Sequence, residues 1–130
     1  MNRITTADYY MGRDKSCASE LTDEIRANAA VTVGLVNALQ LAYGLPLTVS
    51  SGWRPPSVNA KVAGAAKKSN HMIGKACDLH DPKGDLDHWC MANLDVLERL
   101  GLWLEHPDST PNWCHVQIVA PHSGNRVFRP

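Results

Sequence analysis

The stretch "SNHMIGKACDLHD", Ser69–Asp81, sets a histidine seven residues ahead of an aspartate. Lys75 to His80 reads as a strand, so Ala76, Asp78 and His80 face one side while Cys77 and Leu79 face the other. Gly74 lets the chain turn sharply out of the loop that carries His71. An aspartate in mid-strand, among apolar neighbours, is costly to bury unless it meets a cation or strong donors.

A metal is one such cation. Zinc takes three protein ligands at a catalytic site and keeps a fourth position open. His71 and Asp78 supply two, and His115 in "NWCHVQ" fits as the third, alternating with Trp113 and Gln117 on one face of a predicted strand. The plain alternative is a set of surface histidines. Spacing alone leaves both readings open.

Outward from this stretch, "TDEIRANAAVTVGLVNALQLAYG" has helical periodicity. Thr22 is the N-cap and Gly44 the stop, while Ile25, Ala29, Val33, Val36, Leu39 and Tyr43 form the core stripe. A short strand is expected at Leu47 to Ser50, then a turn-rich loop through "SGWRPPSVNAKVAGAAKKS". Asp85 is expected to cap a helix over Leu86 to Leu100, closed by Gly101. Strands "LWLE" and "WCHVQIV" follow, around the loop "HPDSTPN". The fold class is therefore α+β, a small antiparallel sheet with flanking helices, and residues 1–130 read as one domain.

Composition and patterning disfavour several functions. Thirteen basic and thirteen acidic residues balance, so no broad positive field favours nucleic acid. No apolar run approaches the roughly 18–20 residues that cross a membrane. The start, "MNRITTADYYMGRDKS", has no apolar leader. No glycine-rich phosphate loop follows a strand. Cys17, Cys77, Cys90 and Cys114 lack paired spacing and are expected as reduced thiols, Cys77 and Cys114 in the core.

"SSGWRPPSVN", "SNHMIGKACDLHD" and "NWCHVQ", in that order, resemble the zinc D,D-peptidase family. Its members include D-Ala-D-Ala carboxypeptidases and dipeptidases and phage L-alanyl-D-glutamate endopeptidases; Hedgehog signalling domains share its fold. The family pattern Ser-x-His-x-x-Gly-x-Ala-x-Asp is matched by Ser69, His71, Gly74, Ala76 and Asp78, and its later histidine by His115. Ser51, Gly52, Trp53 and Arg54 match a further segment. The resemblance spans Leu47 to about Val119. It implies a Zn2+ site of His71, Asp78 and His115, and a peptidoglycan stem peptide as substrate.

Arg54 is then the natural partner of a substrate carbonyl or carboxylate. Many family members place the general base three residues before the last histidine, where this chain has Asn112. Glu105, closing a strand beside that of His115, is the expected substitute, and Asp108 the second candidate. His80 is a candidate for orienting Asp78, and His106 for lining the cleft; His88 and His122 read as solvent residues. Trp53, Trp103 and Trp113 read as core or as cleft wall. Small size and the missing leader resemble a phage-encoded wall enzyme, made in the host cytoplasm and acting at the wall after release or within a virion. A monomer is expected. The rival reading is a zinc-stabilised binding module or phage structural component without catalysis.

Overall fold

A computed structural model describes residues 1–130. Its α-helices are α1 (Thr6–Tyr10), α2 (Arg13–Ser16), α3 (Asp23–Tyr43), α4 (Pro56–Asn59), α5 (Asp85–Ala92) and α6 (Leu94–Leu100). The strands are β1 (Val49–Ser51), β2 (Ala76–His80), β3 (Trp103–Glu105), β4 (Trp113–Gln117) and β5 (Val127–Phe128). They form one sheet in the order β1-β2-β4-β3-β5. The architecture is α+β.

Local chemistry explains α3 completely. The Thr22 hydroxyl accepts from the Ile25 N–H, and Gly44 ends the helix at φ 85°. Its buried face carries Ala29, Val33, Val36 and Leu39, with Thr32, Asn37 and Gln40 beside them. These polar three are buried because each finds a partner. Thr32 donates to the Gly74 carbonyl at 2.7 Å, Asn37 bonds both backbone groups of Ile4, and Gln40 holds Asn2 and Leu47. So α3 ties down both the amino-terminal segment and the turn after His71. Gly74 itself has φ 77°, and a Cβ there would meet the Ile25 carbonyl at 3.0 Å. Any other residue is strained at that position.

Three expectations need correction. The helix expected over Leu86 to Leu100 is two helices, broken at Asn93, whose side-chain amide donates to the Trp89 carbonyl at 2.8 Å. A side chain that bonds nearby backbone competes with the helix ladder. The cap of α5 is also not Asp85. Gly84 occupies the N-cap at φ 74°, and the Asp81 carboxylate accepts from the N–H groups of Leu86 and Asp87. Finally, β5 runs parallel to β3, so the sheet is not wholly antiparallel.

Smaller shifts follow. The first strand is Val49–Ser51, starting after the expected Leu47, and the proline loop contains α4. Pro56 opens α4 because a first-turn residue needs no N–H partner. The amino terminus contributes to the core, since Tyr9 and Tyr10 of α1 are buried and Tyr10 meets Trp53 edge to face. All four cysteines are free, with Cys77 and Cys114 buried. No helix is long and apolar enough to cross a membrane.

Beneath the sheet end, Asp87 is 4% exposed and its Oδ1 has no hydrogen-bond partner. Burial, reinforced by the charges of Asp81 and Glu105, pushes its pKa up to about 6. The folded state therefore binds this proton more tightly than the unfolded chain does. Stability should fall as pH rises from about 4 to about 6, by on the order of 3 kcal/mol, and level off above. Asp87→Asn should flatten that stretch of the curve. Denaturant melts across the window check it; an unchanged slope would assign the dependence to other groups.

Candidate metal centre and active-site cleft

His71, Asp78 and His115 converge. Their donor atoms all lie within 4.8 Å of one another. The antiparallel register of β2 and β4 sets Asp78 directly opposite His115. His71 arrives from a 3-10 turn, Asn70–Ile73, whose cap is the Ser69 hydroxyl accepting from the His71 N–H.

The tautomers follow from the acceptors around the rings. His71 Nδ1–H donates to the Gly52 carbonyl at 2.9 Å, which leaves Nε2 facing Asp78 Oδ2 at 3.3 Å. His115 Nε2–H donates to Gln117 Oε1 at 2.9 Å, which leaves Nδ1 facing Asp78 Oδ1 at 2.8 Å. Gln117 presents its oxygen because its amide nitrogen donates to the Val119 carbonyl at 2.8 Å. Carbonyls accept only, so each histidine's outer nitrogen carries the hydrogen and each inner one offers a lone pair. Two imidazole lone pairs then point at a carboxylate that also only accepts. Such a cluster is satisfied by a cation between the groups. Two nitrogens and one carboxylate match the donor chemistry of zinc with a position left open.

Electrostatics agree. Burial alone would raise Asp78, but wherever a proton rather than a cation fills the gap, hydrogen bonds from the protonated rings of His115 and His71 outweigh it and hold the carboxyl well below the usual range. Burial would lower His115, yet the Asp78 carboxylate raises it. Asp78 is a standing anion in a nearly buried site.

The cleft over this floor is lined by Arg54, Lys68, Glu105, Trp113 and Phe128 among others. Glu105 ends β3, one residue past the Leu104–Val116 pair, and so lies beside His115. It is half-buried, and burial raises its pKa, an effect that Asp78 reinforces and His115 and His71 oppose. Arg54 is held by two side chains: Nε donates to Asn59 at 2.9 Å and a terminal nitrogen to Ser69 at 3.3 Å.

Other candidates lie elsewhere. Asp108 is exposed, bonded to Arg129 at 3.2 Å, and does not line the cleft. His106 accepts from the Asp108 N–H and also stays out of it. His80 is exposed at the end of β2, and His88 and His122 face solvent. Trp53 is core, Trp103 lies under Arg126, and Trp113 alone of the three lines the cleft. Asn112 has φ 77° and uses its carbonyl to accept from Asp81. It shapes the turn into β4, a conformation asparagine tolerates.

The "Peptidase M15" family model matches residues 9–99. The chain belongs to that family. The matched stretch includes Arg54, His71 and Asp78 and ends before Glu105 and His115, which the sheet brings to them. A zinc D-Ala-D-Ala carboxypeptidase of Streptomyces albus G is 46% identical over 55 residues. That alignment covers 42% of this chain and 21% of the relative, so the chain spans about a fifth of that protein's length. No solved structure matches significantly.

Sequence reasoning missed the outer partners of the two rings. Gln117 sits two residues from His115 on the same strand face, a spacing that signals it. Gly52 acts through its carbonyl, which no side-chain pattern reveals. Groups that orient ligands typically matter 10–100-fold to metal affinity. Gln117→Leu should therefore weaken zinc binding by roughly that factor while leaving the fold intact, as read by competition with a chromophoric chelator. Unaltered affinity would show that Gln117 packs without orienting His115.

Proposed function

We propose that the chain is a zinc-dependent peptidase that hydrolyses peptidoglycan stem peptides, as a D,D-carboxypeptidase or an endopeptidase. The carrying observation is the His71, Asp78 and His115 donor cluster at the floor of a cleft that also holds Arg54 and Glu105. Family membership and the name of the Streptomyces relative support the substrate class.

In this reading the three residues hold the metal. Bound there, zinc supplies Lewis acidity, which brings water's pKa toward neutrality and polarises a carbonyl. Glu105 takes the proton from the attacking water and delivers it to the departing amine. Its desolvated carboxyl suits both halves of that task, since burial strengthens its hold on the proton. Arg54, fixed by Asn59 and Ser69, orients the substrate carbonyl or a carboxylate. Asp108 serves the carboxy-terminal strand through Arg129 instead.

Residues 1–130 act as one such domain, supported by the packing of α1 and α3 on the same core as the sheet. A place of action at the cell wall, and a phage-encoded lytic role, extend this reading. The rival, a zinc-holding binding module, draws on Asn112 where many relatives carry an acid. Digestion of purified peptidoglycan by zinc-loaded protein, with mass spectrometry of the fragments, separates them. Release of D-alanine marks a carboxypeptidase and release of longer peptides an endopeptidase; intact wall with zinc bound would leave the binding module.

A further inference from the structure

The neutral net charge conceals a strong asymmetry. Between Glu24 and Asp78 the chain has no acidic residue and six cations: Arg26, Arg54, Lys61, Lys67, Lys68 and Lys75. The remaining seven cations share the rest of the chain with all thirteen acids. Four of the six belong to the cleft lining or to the loop that contributes to it. Arg54 and Lys68 line it, and Lys61 and Lys67 stand on the same loop, exposed.

None of the four makes an ion pair; the molecule's salt bridges involve only Asp78 and Asp108. The side chains between the lysines are small: Ala63, Gly64, Ala65 and Ala66, with Val62 the largest. Nothing bulky shields the ammonium groups. The loop is also tied to Arg54. Asn59, 6% exposed, accepts from Arg54 Nε at 2.9 Å and donates to the Ala66 carbonyl at 2.9 Å. Arg54 and the loop are thus placed together, and the same cleft holds the acids Asp78 and Glu105.

We infer that the Lys61–Lys68 loop docks carboxylates of the substrate that are not part of the scissile bond. The peptides this cleft takes carry at least one additional free carboxylate, which lies on the lysine wall while the reacting amide lies over Glu105. Lys68 reads it inside the cleft, and Lys61 and Lys67 draw it in from solution. This deepens the peptidase reading and rests on it. A polymer of closely spaced phosphodiesters would fit the lysines, but it would run its other charges over Asp78 and Glu105. A single carboxylate on the wall avoids that repulsion.

The test uses zinc-loaded protein and two fluorescent stem-type peptides. They are identical except that the non-scissile carboxylates are free in one and carboxamides in the other; poly(glycerol phosphate) is the third probe. Binding is read by anisotropy and hydrolysis in parallel. Because the lysines are exposed and unpaired, the triple variant Lys61→Gln, Lys67→Gln, Lys68→Gln should fold and hold zinc like the parent. It should bind the free acid about tenfold or more weakly, with the carboxamide unchanged, and added salt should erase the parent's preference. Lys68→Gln alone should show the largest single share. Equal affinity of the parent for both twins, or equal loss for both in the variant, overturns the proposal. Preferential, lysine-dependent capture of poly(glycerol phosphate) overturns it in favour of a phosphodiester polymer. A parent that prefers the acid twin through its lysines yet cuts neither peptide leaves the docking surface standing and removes the peptidase reading. A parent that cuts both twins, with a triple variant that matches it, does the reverse.

Discussion

Glu105→Gln should keep the metal and the fold and cut peptide hydrolysis by at least about a hundredfold. Water attacks an amide efficiently only when a neighbouring group accepts its proton, and such assistance is worth roughly 10²–10⁴-fold. Glu105 is the carboxylate in the cleft other than Asp78, which is committed to the two imidazoles. Glutamine preserves volume and one acceptor but takes no proton. The loss should appear in kcat as much as in kcat/KM, because the interaction belongs to the transition state. Asp108→Asn is the matched control. Its side chain is exposed and holds Arg129, so hydrolysis should stay near the parent's rate. A dead Asp108→Asn beside a normal Glu105→Gln would move the proton transfer to Asp108 and require the loop to rearrange.

Loss of bound metal in His71→Ala and His115→Ala should be nearly complete. Each substitution removes one of three donors and leaves the Asp78 carboxylate, nearly buried, with one of its two imidazole partners gone. Metal analysis after gel filtration reads the outcome directly, and a full equivalent retained in both would sink the ligand assignment. Metal removal should also unsettle the fold. The site joins β2, β4 and the turn after Ser69, none of which is assembled in the unfolded chain, so binding energy becomes folding energy. With zinc at about a thousandfold over its Kd, linkage contributes roughly 4 kcal/mol, and a chelator should lower the Tm by on the order of ten degrees. A melt that does not move after verified removal would mean that the core stands without the ion.

Sequence by itself determined whatever rests on near neighbours. The limits of α3, from the Thr22 cap to Gly44, follow from hydrogen bonds and torsions within a few residues. The same holds for the turn that presents His71, since Ser69 caps it and Gly74 reverses it beside β2. The ten-residue spacing from Ser69 to Asp78 was legible for that reason, and His115 because strand alternation put it on one face with Gln117. The break at Asn93 escaped, because its side-chain bond to Trp89 competes with a ladder that periodicity alone favours.

Tertiary structure decided which distant groups meet. Glu105 and Asp108 stand three residues apart, and no local rule chooses between them; the β3–β4 register carries one to the metal floor while the β5 strand and Arg129 hold the other away. The orientation of the two histidines was equally hidden. It depends on the Gly52 carbonyl and the Gln117 side-chain oxygen, and the Gly52 backbone oxygen carries no mark of its neighbour until the sheet closes. Pairing between strands is long-range and sums many weak contacts, whereas caps and turns draw on the residues beside them.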